Sequence, residues 1–140
     1  MKTDFMDAAT RHWEDAELLS NTLRWANADH LYGVAAECAL KAVMVMLGME
    51  TKPDDGSPIE SRHKKHINRI WEEFLTFAAG RNEGRYSGML PAGTPFADWD
   101  AAQRYAARRE FSKDRVTLHR DAARAVRRIL ADARVDGSLP

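Results

Sequence analysis

From Ala28 to Leu47 the chain is apolar on almost every side of a helical period: Leu31, Tyr32, Val34, Ala35, Ala36, Cys38, Ala39, Leu40, Ala42, Val43, Met44, Val45, Met46 and Leu47. A helix that is apolar nearly all round has to be enclosed by other helices. This segment therefore demands a bundle built about one buried helix, which Gly48 is suited to end. Its polar residues His30, Glu37 and Lys41 are spaced i, i+7, i+11 and share one narrow stripe. That stripe is either the helix's one solvent-facing edge, or a polar site or subunit contact set in an apolar surface.

The flanking segments supply the enclosing helices. Phe5, Met6, Ala9, Trp13, Ala16, Leu19, Ser20 and Leu23 fall on one side of a helix that Thr3 or Asp4 can cap. Asn27-Ala28-Asp29 interrupts the pattern, and Asn or Asp there can cap the next helix; so short a break implies an antiparallel pair. Residues 49–60 have the composition of a surface loop. A third helix is expected from Ser61 to Ala79, closed by Gly80, with Ile67, Ile70, Trp71, Phe74, Phe77 and Ala78 inward. After an irregular stretch over 81–96, a shorter helix is expected over 97–109. The last should run from Ser112 to Ala133 with Leu118, Ala122, Ala125, Val126, Ile129 and Ala133 inward. No segment has a strand pattern. The expected fold is all-α, a single domain over 1–140: an up-and-down bundle of four main helices plus a shorter fifth.

At 44% apolar and 30% charged, the 140 residues are neither disordered nor fibrous in composition. No apolar run approaches the roughly 18–20 residues of a membrane span, and Met1-Lys2-Thr3-Asp4 lacks the apolar stretch of a signal peptide. With a single cysteine, Cys38, no internal disulfide framework exists, and the expected location is cytoplasmic, with no membrane contact. The zero net charge conceals an asymmetry. Residues 1–60 carry five basic and eleven acidic side chains, a balance of −6, whereas residues 100–134 carry ten and five, a balance of +5. These halves either attract each other within the fold or leave a basic surface for phosphates.

Motif chemistry is sparse. His63 and His66 have a spacing that can face one metal, but Arg62, Lys64 and Lys65 would repel a cation, so no metal is expected. A basic surface, or a phosphate contact at a helix start, fits that run better. Cys38 lies in the most apolar helix, where burial opposes the thiolate. No glycine pattern for a dinucleotide or triphosphate is present, and no cofactor is called for. The four tryptophans sit at helical positions that suit a core. Arg115 and His119 are one helical turn apart. An arginine that neutralises phosphate charge beside a histidine that moves a proton is the minimum for metal-free RNA cleavage. The plainer alternative is a solvated arginine face paired with Glu110, Asp114 and Asp121.

The helix Asp29-His30-Leu31-Tyr32-Gly33-Val34-Ala35-Ala36-Glu37-Cys38-Ala39-Leu40-Lys41-Ala42 resembles the second helix of HEPN domains, Ala-rich with Glu and Lys four apart. His66-Ile67-Asn68-Arg69-Ile70-Trp71 is similar to the start of their next helix. Trp99, Arg104-Tyr105 and a long last helix extend the likeness over roughly residues 5–134. The resemblance implies a helical bundle, commonly a homodimer, associated with RNA or nucleotides. Many such proteins are metal-independent ribonuclease toxins partnered by a minimal nucleotidyltransferase antitoxin, while others bind nucleotides or have lost catalysis. Active members carry Arg, four to six residues, then His near the start of the last helix; here three residues separate Arg115 from His119. The expected catalytic residues are His119, Arg115 and Arg104, with Glu37, Lys41, His66, Arg85 and Tyr105 as nucleic-acid or nucleotide contacts. The alternative is a non-catalytic dimeric protein-interaction module, motivated by an apolar second helix larger than one small core can cover.

Overall fold

The computed structural model describes residues 1–138 as an all-α bundle with four main helices: α1 (Phe5–Asn21), α2 (Trp25–Met46), α3 (Ile67–Gly80) and α4 (Lys113–Ser138). Asp4 caps α1, its carboxylate accepting from the Asp7 N–H at 2.9 Å. A three-residue turn reverses the chain into α2, so the two helices run antiparallel. As its composition demands, α2 is the centre of the fold, packed on α1, α3 and α4. Tyr32, Ala35, Ala36, Ala39, Leu40, Val43 and Met44 have no exposed surface. Gly48 closes α2 in the left-handed region at φ 99°, where glycine has no Cβ to clash.

Several boundaries differ from the sequence expectation. Neither Asn27 nor Asp29 caps α2. The helix starts at Trp25 with Arg24 at its cap position and no side chain accepting there. Helix α3 starts at Ile67, six residues late, because His63 turns inward in a 3-10 turn and packs edge-on to Phe77 at 5.3 Å. The left-handed residue after α3 is Asn82 (φ 58°), not Gly80. The helix expected over 97–109 is replaced by two 3-10 turns, Ala101–Tyr105 and Arg108–Glu110. Phe96 and Trp99 are anchored in the core, and Asp100 then adopts extended backbone as the cap of a capping box closed by Gln103. That cap prevents one helix from running through the segment. On α4 the inward face is Val116, His119, Ala122, Ala123, Val126, Ile129, Leu130 and Ala133, while Leu118 is 67% exposed, contrary to expectation. A histidine therefore occupies the core position that the apolar pattern assigns to leucine.

Two backbone features make firm predictions. A Cβ on Gly33 would fall inside the van der Waals envelope of the Trp99 indole. Gly33→Ala should therefore destabilise the fold by about 2 kcal/mol or more through overpacking. Urea unfolding would measure the loss, with a red-shifted tryptophan emission as Trp99 is displaced. At the α1–α2 turn, Leu23 holds φ 63° in a motif where the Arg24 N–H donates to the Leu19 carbonyl at 2.8 Å. Glycine usually takes that position, and Leu23 is 69% exposed. Leu23→Gly should raise stability by about 1 kcal/mol, visible as a higher Tm.

Candidate functional site

Three polar groups interrupt the apolar structure. The first is built on Asp29, in the first turns of α2, whose side chain is fully buried. Its Oδ1 lies 2.6 Å from Nδ1 of His119, and its Oδ2 accepts from Gln103 Nε2 at 2.7 Å and from Arg115 Nε at 3.4 Å. The indole N–H of Trp99 donates to the Asp29 carbonyl at 3.3 Å. The other imidazole nitrogen of His119, Nε2, lies 2.8 Å from Oδ1 of Asp98, and Arg115 donates to both the carboxylate (3.1 Å) and the carbonyl (2.6 Å) of Asp98. Phe96 stacks on the imidazole at 5.1 Å. Helices α2 and α4 and the segment 96–103 thus meet on one imidazole.

Burial of His119 opposes its charged form, but the hydrogen bond and charge of Asp29, followed by those of Asp98, outweigh it and raise the pKa above 6.5. Asp98 is shifted the opposite way. Burial alone would raise its pKa, whereas His119 and Arg115 hold it below the ordinary carboxylate value. The side chains of Asp29, Asp98, His119 and Arg115 thus form one hydrogen-bonded quartet. Both ring nitrogens of His119 face carboxylates and the side chain is 1% exposed. Arg115 directs its donors at Asp29, Asp98 and Gln103. His119 and Arg115 are together, as the helical spacing requires, but they hold each other's counter-ions rather than an open face. Arg104 does not join them: its guanidinium donates to the Ala101 carbonyl at 2.7 Å and lies over the Tyr105 ring.

The second group is the α2 stripe. Lys41 Nζ donates to Glu37 Oε2 at 2.9 Å, and Glu37 Oε1 lies 3.0 Å from His66 Nδ1. The Lys41 side chain is 5% exposed and that of Glu37 13%, so the stripe is not a solvent-facing edge; His66, at the start of α3, and Phe5 cover it. His30, two turns before Glu37, stacks on Trp99 at 5.4 Å, and burial followed by the charge of Arg104 lowers its pKa. Glu37, Lys41 and His66 are thus brought together, while Arg85 and Tyr105 are not. Arg85 pairs with Glu83 and Asp136 beside Tyr86, and Tyr105 stands 77% exposed beside Arg104. Cys38 is buried, and burial pushes its thiol up to about 12, as expected of an inert side chain. Among the described residues no group of three or more His, Cys, Asp or Glu is placed to hold a metal.

The third group escapes sequence reasoning because its members lie far apart in the chain. A cavity of about 180 Å³ is lined by Arg24, Trp25, Ala26 and Asn27 at the start of α2, and by Gln103, Arg104, Ala106 and Arg108 from the segment before α4. Three of its lining residues are arginines, and none is acidic. The only signal in the sequence is the basic balance of residues 100–134.

The quartet predicts a pH dependence. A group whose pKa is raised by folding contributes stability that is complete below its unfolded value, near 6.5, and fades as pH rises through the folded one. The groups facing His119 are Asp29 from α2, Asp98 from the preceding segment, and Arg115 on its own helix. His119→Gln should cost about 3 kcal/mol at pH 6 by leaving Asp29 short of its counter-ion. It should also flatten the decline in stability from pH 7 to 9. Urea melts of both proteins across that range would show it, and an unchanged slope in the variant would refute the assignment.

Comparison with protein-family models, with curated proteins and with solved structures finds no match for this chain, so the chemistry of these groups is read from their own geometry.

Proposed function

We propose that the protein binds RNA or a nucleotide through the arginine-lined cleft at the start of α2, as a HEPN-like domain that does not cleave its ligand. The observation that carries this reading is the convergence of Arg24, Arg104 and Arg108 on one cavity with no acidic partner. On α4, by contrast, two arginines are committed within the fold: Arg120 holds Glu17 at 2.6 Å, and Arg115 is bound to Asp29 and Asp98. Like charges gathered without a counter-ion repel one another and favour an external anion. Tyr105, exposed beside Arg104, offers a face on which a base can stack.

Cleavage at His119 is disfavoured by chemistry. A general base or acid needs a nitrogen within reach of the substrate, and both of its nitrogens are engaged by carboxylates in a buried setting. The apolar surface of α2, the motive for a dimeric interaction module, is largely covered by α1, α3 and α4, with Val45 and Met46 exposed at its end.

Binding governed by phosphate contacts loses affinity as salt rises, with a slope near −0.7 per contact on single strands. Three arginine contacts therefore give a slope of about −2, or roughly a 16-fold loss between 50 and 200 mM salt. Fluorescence anisotropy with a short labelled single-stranded RNA should show that slope, and Arg104→Gln together with Arg108→Gln should reduce it to about −0.7. The RNA should remain intact in EDTA. Cleavage that disappears in His119→Gln would replace binding by catalysis as the function.

A further inference from the structure

Resting on the reading of the cleft as the binding site, we infer that it recognises a phosphomonoester, the free phosphate of a nucleotide or of an RNA end, in preference to the internal phosphodiesters of a chain. Size is the first reason. A pocket that encloses a whole small molecule spans about 300–1,000 Å³, and the cavity of about 180 Å³ is smaller. It accommodates a compact group and leaves the rest of the ligand outside, where Tyr105 stands exposed next to Arg104. An internal phosphate must carry chain out of the cavity in two directions, whereas a terminal one has a single exit.

Charge is the second reason. Arg24, Arg104 and Arg108 reach the cavity from two segments separated by some eighty residues, and no lining residue is acidic. Among the described residues none of the three has a carboxylate within ion-pair distance, and the one hydrogen bond from their guanidinium groups is that of Arg104 to the Ala101 carbonyl. A phosphodiester brings one negative charge. A phosphomonoester brings about −1.5 to −2 at pH 7 and three terminal oxygens able to accept hydrogen bonds. Three lining arginines thus match the dianion more closely, since a guanidinium can present two parallel donors to phosphate oxygens.

The backbone adds to this field. Trp25, Ala26 and Asn27 line the same cavity and form the first turn of α2, ahead of the first intrahelical bond from the Ala28 N–H to the Arg24 carbonyl. The start of α2 has neither a capping side chain nor an acidic residue, so its N–H groups and the positive end of the helix dipole are available to an anion. Gln103, held by Asp29 at 2.7 Å, anchors the segment that carries Arg104 and Arg108.

The test uses the full chain and two single-stranded RNAs of one sequence, labelled at the 3′ end, with either a 5′-phosphate or a 5′-hydroxyl. Anisotropy should give at least about tenfold tighter binding of the phosphorylated strand, the gain of one charge-assisted contact set. AMP should displace it and adenosine should not. Arg24→Gln and Arg108→Gln, both at exposed positions and checked for folding by circular dichroism, should each bring the ratio of the two strands towards one. If AMP alone binds as tightly as the phosphorylated strand, the source of the phosphomonoester is a free nucleotide; if the strand binds much more tightly, it is an RNA end. Equal, salt-sensitive binding of both strands would overturn the preference while leaving RNA binding intact. Absence of binding by either strand and by AMP would overturn both readings.

Discussion

The buried carboxylate of Asp29 is the contact on which the rest of the structure depends. It is fully enclosed, and an uncompensated charge there would be untenable. Its neighbours come from three parts of the chain: His119 and Arg115 from α4, Gln103 from the turn before it, and Trp99, whose indole bonds the Asp29 carbonyl. Segment 81–112 contains no α-helix and spends few backbone hydrogen bonds on regular structure. What fixes it is the insertion of Phe96 and Trp99 into the core and the attachment of Gln103 and Asp98 to the quartet. Buried ionic groups of this kind add little net stability over an apolar replacement. Their effect here is to select one position for a segment that apolar packing alone would not locate.

That position determines the cleft. Gln103 touches Asp29 on one side and lines the arginine-bordered cavity on the other, and Arg104 follows it directly. Arg115 and His119, one helical turn apart, are thus part of the buried support behind the cavity wall. The neutral total charge acquires a spatial meaning as well. Part of the basic C-terminal region is consumed by the acidic N-terminal one, through Arg120 with Glu17 and Arg115 with Asp29, and part is left facing the cavity.

The central helix was legible because its evidence is local: twenty residues with almost no polar interruption admit only a buried helix. The Asp4 cap and Gly48 terminator were legible for the same reason, since each acts within one turn of itself. The quartet was not, because it joins residues up to ninety positions apart, and no periodicity reports such a pairing. It also distorted the local signals. Asp29 looks like a helix cap but is drawn inward by His119, which leaves Arg24 at the cap position. Leu118 looks like core but is turned outward because His119 takes the inward place. The expected helix over 97–109 fails for a related reason: Trp99 and Asp100 obey tertiary contacts and a capping box that propensity does not include. Gly33 is the clearest case, a glycine inside a helix pattern whose necessity becomes visible only when Trp99 is laid against it.

The arrangement around the cleft runs against what folding alone would favour. Three arginines line one cavity without an acidic lining residue, the start of α2 lacks a cap, and Leu23 holds a left-handed conformation that costs about 1 kcal/mol. A capping serine or aspartate in place of Arg24 would stabilise α2 by about 1 kcal/mol, and an acidic residue near Arg108 would relieve the repulsion. All three departures lie near the start of α2, and the first two border one cavity. Elsewhere local preference and tertiary packing largely agree, as in the Asp4 cap of α1, the apolar α2 and the glycine after it. Conflicts between local preference and global fold are expected where a chain has a task besides folding. Two of these conflicts share one remedy, since a bound anion would neutralise the arginines and accept from the free N–H groups of α2 together.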